Sequence, residues 1–132
     1  MVPKILIAED DPDVRTYLGM QLRAAGHDTL WAEDATSALR LCELDKPDLV
    51  LLDLGLAGGD GFLVLERLKS LSLGTRVIVL SGRDPQLNES HAHRLGAVAF
   101  LQKPVPGREL LCAIDRHLSA GVDNDAIIAS TE

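Results

Sequence analysis

No apolar run in this sequence approaches the ~18 residues that a membrane-spanning helix needs; the longest are strand-sized, so no membrane segment is expected. The opening residues, "MVPKILIAEDD", place one lysine before a four-residue apolar run that stops at three acids. A signal peptide needs a longer apolar region and a small-residue cleavage site, so none is read here. Cysteine is scarce, at Cys42 and Cys112 only. Both fall on apolar positions of helical patterns, which suits buried thiols in a reducing cytoplasm and gives no sign of a disulfide framework. Positive charge is also short: 13 Lys and Arg against 20 Asp and Glu leave a net charge of -7. Nucleic-acid binding depends largely on basic contacts to phosphates, so this chain alone is not expected to bind it. An acidic balance is compatible with binding a cation. No repeat period is present.

What is present is a globular composition, 46% hydrophobic and 25% charged over 132 residues, enough for one domain with a sizeable core. Short apolar runs alternate with helical patterns. Lys4–Ala8 reads as a strand. Asp11 as N-cap and Pro12 at the first helical position open a helix whose face is Val14, Tyr17, Leu18, Gln21, Leu22 and Ala25, closed by Gly26. Thr29–Ala32 is a short strand, and Ala35, Ala38, Leu39 and Cys42 mark a helix ending before Pro47. Leu49–Asp53 ("LVLLD") has the unbroken apolar character of a strand buried on both faces. Phe62, Leu65 and Leu68 place a helix after the glycine-rich loop that follows. Val77–Ser81 is another buried strand and Pro85–Leu95 a polar helix. Val98–Leu101 is the last strand. Arg108–Leu118 is the last helix, with Leu111, Ile114 and Leu118 inward and Cys112 beside them. Such alternation with short loops predicts an α/β fold: a parallel sheet with helices on both faces. Residues 1–118 form the domain; residues 119–132 lose the core pattern and read as a C-terminal tail or linker.

In open α/β sheets ligands bind outside the carboxyl ends of the strands. Those ends bring Glu9, Asp10 and Asp11 from the first strand, Asp53 from the third and Ser81 from the fourth. Lys103 follows the fifth. Carboxylates gathered this closely repel by several kcal/mol, so one must take up a proton or a cation must sit among them. An oxygen-only cluster suits a hard divalent ion such as Mg²⁺. A carboxylate with a metal, an amine and a hydroxyl around it is suited to receiving a phosphoryl group, because carboxylates form aspartyl phosphates and the cations stabilise the transferring oxygens.

The stretches "ILIAEDDPDVR", "PDLVLLDLGLAGGDGF", "VIVLSGRD" and "AFLQKP", in that order, resemble the receiver domain of two-component response regulators, chemotaxis-regulator-like, over roughly Lys4 to Leu118. The resemblance implies a flavodoxin-like doubly wound sheet of five parallel strands in order 2-1-3-4-5 with five flanking helices. It implies a phosphorylation-dependent signalling switch in the cytoplasm. Asp53 would be the phosphoacceptor, served by a sensor histidine kinase or a histidine phosphotransfer protein. Such a domain is not an enzyme in the ordinary sense; it assists only its own phosphorylation and dephosphorylation. Glu9, Asp10, Asp53 and the backbone carbonyl of Gly55 would hold Mg²⁺ or Mn²⁺. Ser81 would bind the phosphoryl group beside Lys103, and Lys103–Pro104 matches a peptide bond typically cis. Phe100 matches the aromatic switch position, expected to turn from exposed to inward. A homodimer through the fourth helix, fifth strand and fifth helix is the corresponding assembly. Two departures, Ala57 where the family has proline and Gly82 where it often has alanine, are expected to loosen their loops.

Blander readings stand beside these. Asp53 alone would be a solvated strand-end acid, Ser81 a loop hydroxyl and Lys103 surface charge; their joint placement is what favours chemistry. Asp11 reads better as the helix cap than as a metal ligand. The "GGDG" loop fails as a calcium EF-hand, since Gly55, Ala57 and Val64 occupy ligand positions in that register. His91 and His93 read as a solvated pair, and Trp31 as core or rim packing. A phosphatase of the haloacid dehalogenase type needs an acid two residues after its nucleophile, where this chain has Gly55. A pseudo-receiver, binding partners without phosphorylation, usually lacks an acid or the lysine, and this chain has them all.

Overall fold

The computed structural model describes residues 2–56, 61–71, 74–82 and 85–118; the tail at 119–132 and Ala57 lie outside the described residues. Five strands form one parallel sheet in the order β2-β1-β3-β4-β5: β1 Lys4–Ala8, β2 Asp28–Ala32, β3 Leu49–Asp53, β4 Arg76–Ser81 and β5 Ala99–Gln102. Helices α1 (Pro12–Ala24), α2 (Ala35–Asp45), α3 (Gly61–Ser70) and α4 (Pro85–Arg94) follow the first four strands, and residues 107–118 form α5.

Side chains alternate across a strand, and here the alternation divides the core in two. Leu6, Ala8, Val50, Leu52, Val77 and Val79 face the layer containing Ala38 and Cys42 of α2, Leu65 of α3 and Ala92 of α4. Their neighbours Ile5, Ile7, Leu49, Leu51, Ile78 and Leu80 face Leu18 and Leu22 of α1 and Leu110 and Ile114 of α5. All five β3 residues are therefore buried, Asp53 included. No polar partner is needed along these runs because the backbone ladders satisfy themselves.

Helix ends follow local chemistry. Asp11 caps α1, its Oδ1 accepting from Asp13 N at 2.9 Å and Val14 N at 3.4 Å, with Pro12 in the first turn. Asp34 Oδ1 accepts from Ser37 N at 2.8 Å to open α2, and Lys46 closes it in the left-handed region at φ 47°. At the opposite edge from the strand carboxyl ends, Thr75 Oγ1 donates to Pro47 O at 3.0 Å and Lys4 N to Asp48 Oδ2 at 2.8 Å.

Several expectations are corrected. Cys42 is buried but Cys112 is exposed: Leu110 and Ile114 face the sheet, and Cys112 stands about 200° around the helix from Leu110. Leu110, not Leu111, is the fully buried residue of that turn. Trp31, read as core or rim packing, takes the rim alternative at 57% exposure, because β2 is an edge strand. The two histidines are not simply solvated. His91 stacks on Phe62 of α3 with ring centroids 4.1 Å apart, and His93 Nδ1 lies 3.0 Å from Ala97 O. β5 lies one residue later than its apolar run, although Val98 N still donates to Val77 O at 2.9 Å. Among the described residues no helix is long and apolar enough to cross a membrane.

Candidate functional site

The carboxyl edge of the sheet gathers acids and one amine. Glu9 leaves β1 but stays tied to the sheet, its N–H donating to Ala32 O at 3.0 Å. That bond turns its side chain under the edge, where it is 1% exposed. Asp10, next in the chain, is exposed. Asp53 closes β3 at 6% exposure. The carboxylate oxygens of Glu9, Asp10 and Asp53 lie within 4.8 Å of one another. Beyond β5 the chain passes Ser81, with Lys103 N donating to Ser81 O at 2.8 Å, and the Lys103–Pro104 peptide is cis. The Lys103 ammonium lies 2.7 Å from Glu9 Oε1 and 3.3 Å from Asp53 Oδ1.

Two of the three carboxylates thus pair with one ammonium. At an effective dielectric of ~20, two full charges 4.8 Å apart still repel by about 3.5 kcal/mol. Burial pushes the Glu9 carboxyl above its ordinary value, and the Asp53 charge adds to this; Lys103 and the Asp11 N–H, which donates to Glu9 Oε2 at 3.2 Å, pull the other way without prevailing. Burial acts to lower the Lys103 ammonium, but its pairs with Glu9 and Asp53 outweigh this and hold it above its usual value. Lys103 therefore stays charged. Glu9 Oε1 is buried and faces the Lys103 ammonium at 2.7 Å. An oxygen-only donor set of this charge fits a hard divalent cation.

The remaining candidates fall around this centre. Ser81 is buried at the end of β4, one residue past the Asp53↔Leu80 pair. Gly55 meets Asp53 through its amide, which donates to Asp53 Oδ1 at 3.2 Å; its nitrogen and the carboxylate close a tight turn. Phe100 is half-buried on β5, beside Val79 and against the layer of α2, α3 and α4. Asp11 serves as the α1 cap. Gly82 is exposed, with open space where a Cβ would stand.

Two contacts were not foreseen from sequence. Gly61 is buried against the turn after Asp53: a Cβ there would lie 2.5 Å from both Leu54 Cα and Leu54 O. Arg15, in α1, donates from Nη1 to Glu9 O at 3.0 Å while its Cζ lies 4.3 Å from the centre of the Trp31 ring.

A family model described as the response regulator receiver domain matches residues 5–115. The chain is 33% identical over 110 residues to the alkaline phosphatase synthesis transcriptional regulatory protein PhoP of Bacillus subtilis, covering 83% of this chain and 46% of that protein. It is also 33% identical over 120 residues to sporulation initiation phosphotransferase F of the same organism, covering 89% of this chain and 95% of that one. The chain spans about half the length of several curated relatives it matches. Among solved structures, a CheY-like receiver domain from Methanospirillum hungatei superposes with a TM-score of 0.89 at 27% identity, covering 94% of this chain and 99% of that chain. The receiver domain of NtrX from Brucella abortus superposes at 0.83 with 33% identity, covering 87% and 98%.

Proposed function

From the premise that this chain belongs to the response regulator receiver domain family of two-component, phosphorylation-dependent signalling, we propose that Asp53 is its phosphoacceptor. The observation that carries the assignment is the Asp53 carboxylate itself. It sits at the end of a fully buried strand, 3.3 Å from the Lys103 ammonium and within 4.8 Å of the Glu9 and Asp10 acids. Glu9 shares these neighbours, but it stands one residue past the end of β1 and is 1% exposed, whereas Asp53 is itself the last residue of β3.

In the proposed reaction an Asp53 carboxylate oxygen attacks the phosphorus of a phosphohistidine on a sensor kinase or phosphotransfer protein. The O–P bond forms as the P–N bond breaks, and the departing imidazole keeps the electron pair and takes a proton from solvent. Lys103 would neutralise charge on the transferring oxygens, and the Ser81 hydroxyl would hydrogen-bond them afterwards. Glu9, Asp10, Asp53 and the Gly55 carbonyl would hold Mg²⁺ or Mn²⁺, which supplies electrostatic stabilisation of the phosphoryl oxygens. The domain assists its own phosphorylation and dephosphorylation and turns over no separate substrate. Phe100 and the face of α4, β5 and α5 form the output surface, through which phosphorylated copies pair. The net charge of -7 supports protein partners rather than nucleic acid for this chain, and a cytoplasmic setting agrees with its free cysteines.

Incubation with acetyl phosphate and Mg²⁺ tests the assignment. One phosphoryl group per chain is expected by intact mass, and none in Asp53→Asn. Equal uptake by both proteins overturns it.

A further inference from the structure

The only tryptophan of the chain is half in solvent on an edge strand, and the arginine stacked on it bonds the backbone of one acid of the site, Glu9, and not a carboxylate. Among the described residues Arg15 takes part in no ion pair. An unconstrained guanidinium beside a carboxylate cluster would fork onto a carboxylate, its favoured partner. Here its Cζ lies 4.3 Å from the centre of the Trp31 ring and its Nη1 donates to the Glu9 carbonyl at 3.0 Å. Trp31 pairs with Ile7 across the β1–β2 ladder, and Ile7 faces the α1 layer. The indole therefore lies on the α1 side of the sheet, where Arg15 can use it as a platform.

The carbonyl that Arg15 grips belongs to the peptide joining Glu9 to Asp10. That unit is planar and carries the Cα atoms of both acids, so fixing its carbonyl fixes the direction in which each carboxylate leaves the chain. The same segment is tied at its start by Glu9 N to Ala32 O and folded on itself by Asp11 N to Glu9 Oε2. Resting on the function proposed above, we infer that Arg15, seated on Trp31, is a positioning residue. It holds the Glu9–Asp10 peptide so that both acids face the cation, while the ring keeps its own charge off their oxygens.

Charge alone and positioning predict opposite signs. Removing a cation beside an acidic site should tighten Mg²⁺ binding if electrostatics rule. Loss of a group that orients ligands weakens it, typically by tenfold or more. Calorimetric titration of folded, metal-free protein with Mg²⁺ decides between them. Arg15→Gln is expected to bind about tenfold more weakly than wild type, at the low end of such effects. Trp31→Leu, which changes no charge, is expected to weaken binding severalfold, and Trp31→Phe to restore most of it. Circular dichroism confirms that each variant is folded, and the tryptophan variants carry the test should Arg15→Gln not fold. Arg15→Gln binding as tightly as wild type, or tighter, overturns the role of Arg15; Trp31→Leu at wild-type affinity overturns the platform. Wild-type protein that binds no Mg²⁺, or Asp10→Asn that binds it equally well, sinks the parent reading of the acid site instead.

Discussion

Replacing Lys103 by methionine keeps most of the aliphatic stem and removes the one ammonium among three carboxylates. At an effective dielectric of ~20 its contacts at 2.7 Å to Glu9 and 3.3 Å to Asp53 are gross attractions of about 6 and 5 kcal/mol. Much of that is offset by the cost of drawing the ammonium out of water, a cost methionine does not carry. Breaking a buried pair by deleting one partner destabilises by about 3–5 kcal/mol. Lys103 is 24% exposed, so water screens part of the interaction and about 3 kcal/mol is the better expectation. For a domain of this size that lowers the melting temperature by about 10–15 °C. The loss should depend on pH. Burial already raises the Glu9 carboxyl, and deleting Lys103 removes an influence that lowers it, so the value climbs further. A carboxyl raised on folding holds a proton that the unfolded chain has released, so stability is lost as pH rises through the folded value. The deficit of Lys103→Met is therefore largest at pH 8 and shrinks toward acid, where Glu9 is neutral. Mg²⁺ should recover part of it by binding only the folded site. Urea unfolding at pH 8 and pH 5, with and without Mg²⁺, reads all three effects. A variant as stable as wild type in metal-free buffer at pH 8, or a deficit that grows on acidification, would refute this account.

Gly61→Ala must push its Cβ into Leu54 backbone atoms that cannot rotate away. A loss of about 1–3 kcal/mol is expected, outweighing the ~1 kcal/mol that alanine's helix propensity offers; an unchanged urea midpoint contradicts it. Cys42, its thiol pushed up to about 12 by burial and by the Glu43 charge, should resist iodoacetamide at pH 8 while exposed Cys112 reacts. One label in native protein and two in urea is the expected mass pattern, and native labelling of Cys42 at the Cys112 rate counts against the packing described. A beryllofluoride adduct at Asp53 should shift amide resonances at Ser81, Phe100 and α5 and raise the sedimentation coefficient. Changes confined to the neighbours of Asp53 would leave no switch.

Where burial is uniform the sequence spoke plainly. β1 and β3 have the bounds their apolar runs indicate, because every residue between the flanking polar groups is needed in one of the two core layers. The acids and Lys103 were legible for a related reason: parallel strands all end on one edge, so residues following each run must meet there. Pairings between side chains of different elements were not legible. Nothing local links Arg15 to Trp31, or His91 to Phe62; those contacts depend on how helices seat against the sheet. Cys112 misled because a small apolar residue is tolerated on either side of α5, and the larger Leu110 took the inward place. The closeness of Gly61 to Leu54 is a distance, and only coordinates hold it.

The proposed phosphoacceptor site is assembled from the ends of the first, third, fourth and last strands, and no single segment contains all of it. Glu9 meets Lys103 only after every intervening strand has taken its place in the sheet. During synthesis the acids emerge early and remain an unassembled fragment until β5 and the lysine behind it arrive. A nascent, clipped or partly melted chain consequently lacks the ion pairs that join Lys103 to Glu9 and Asp53.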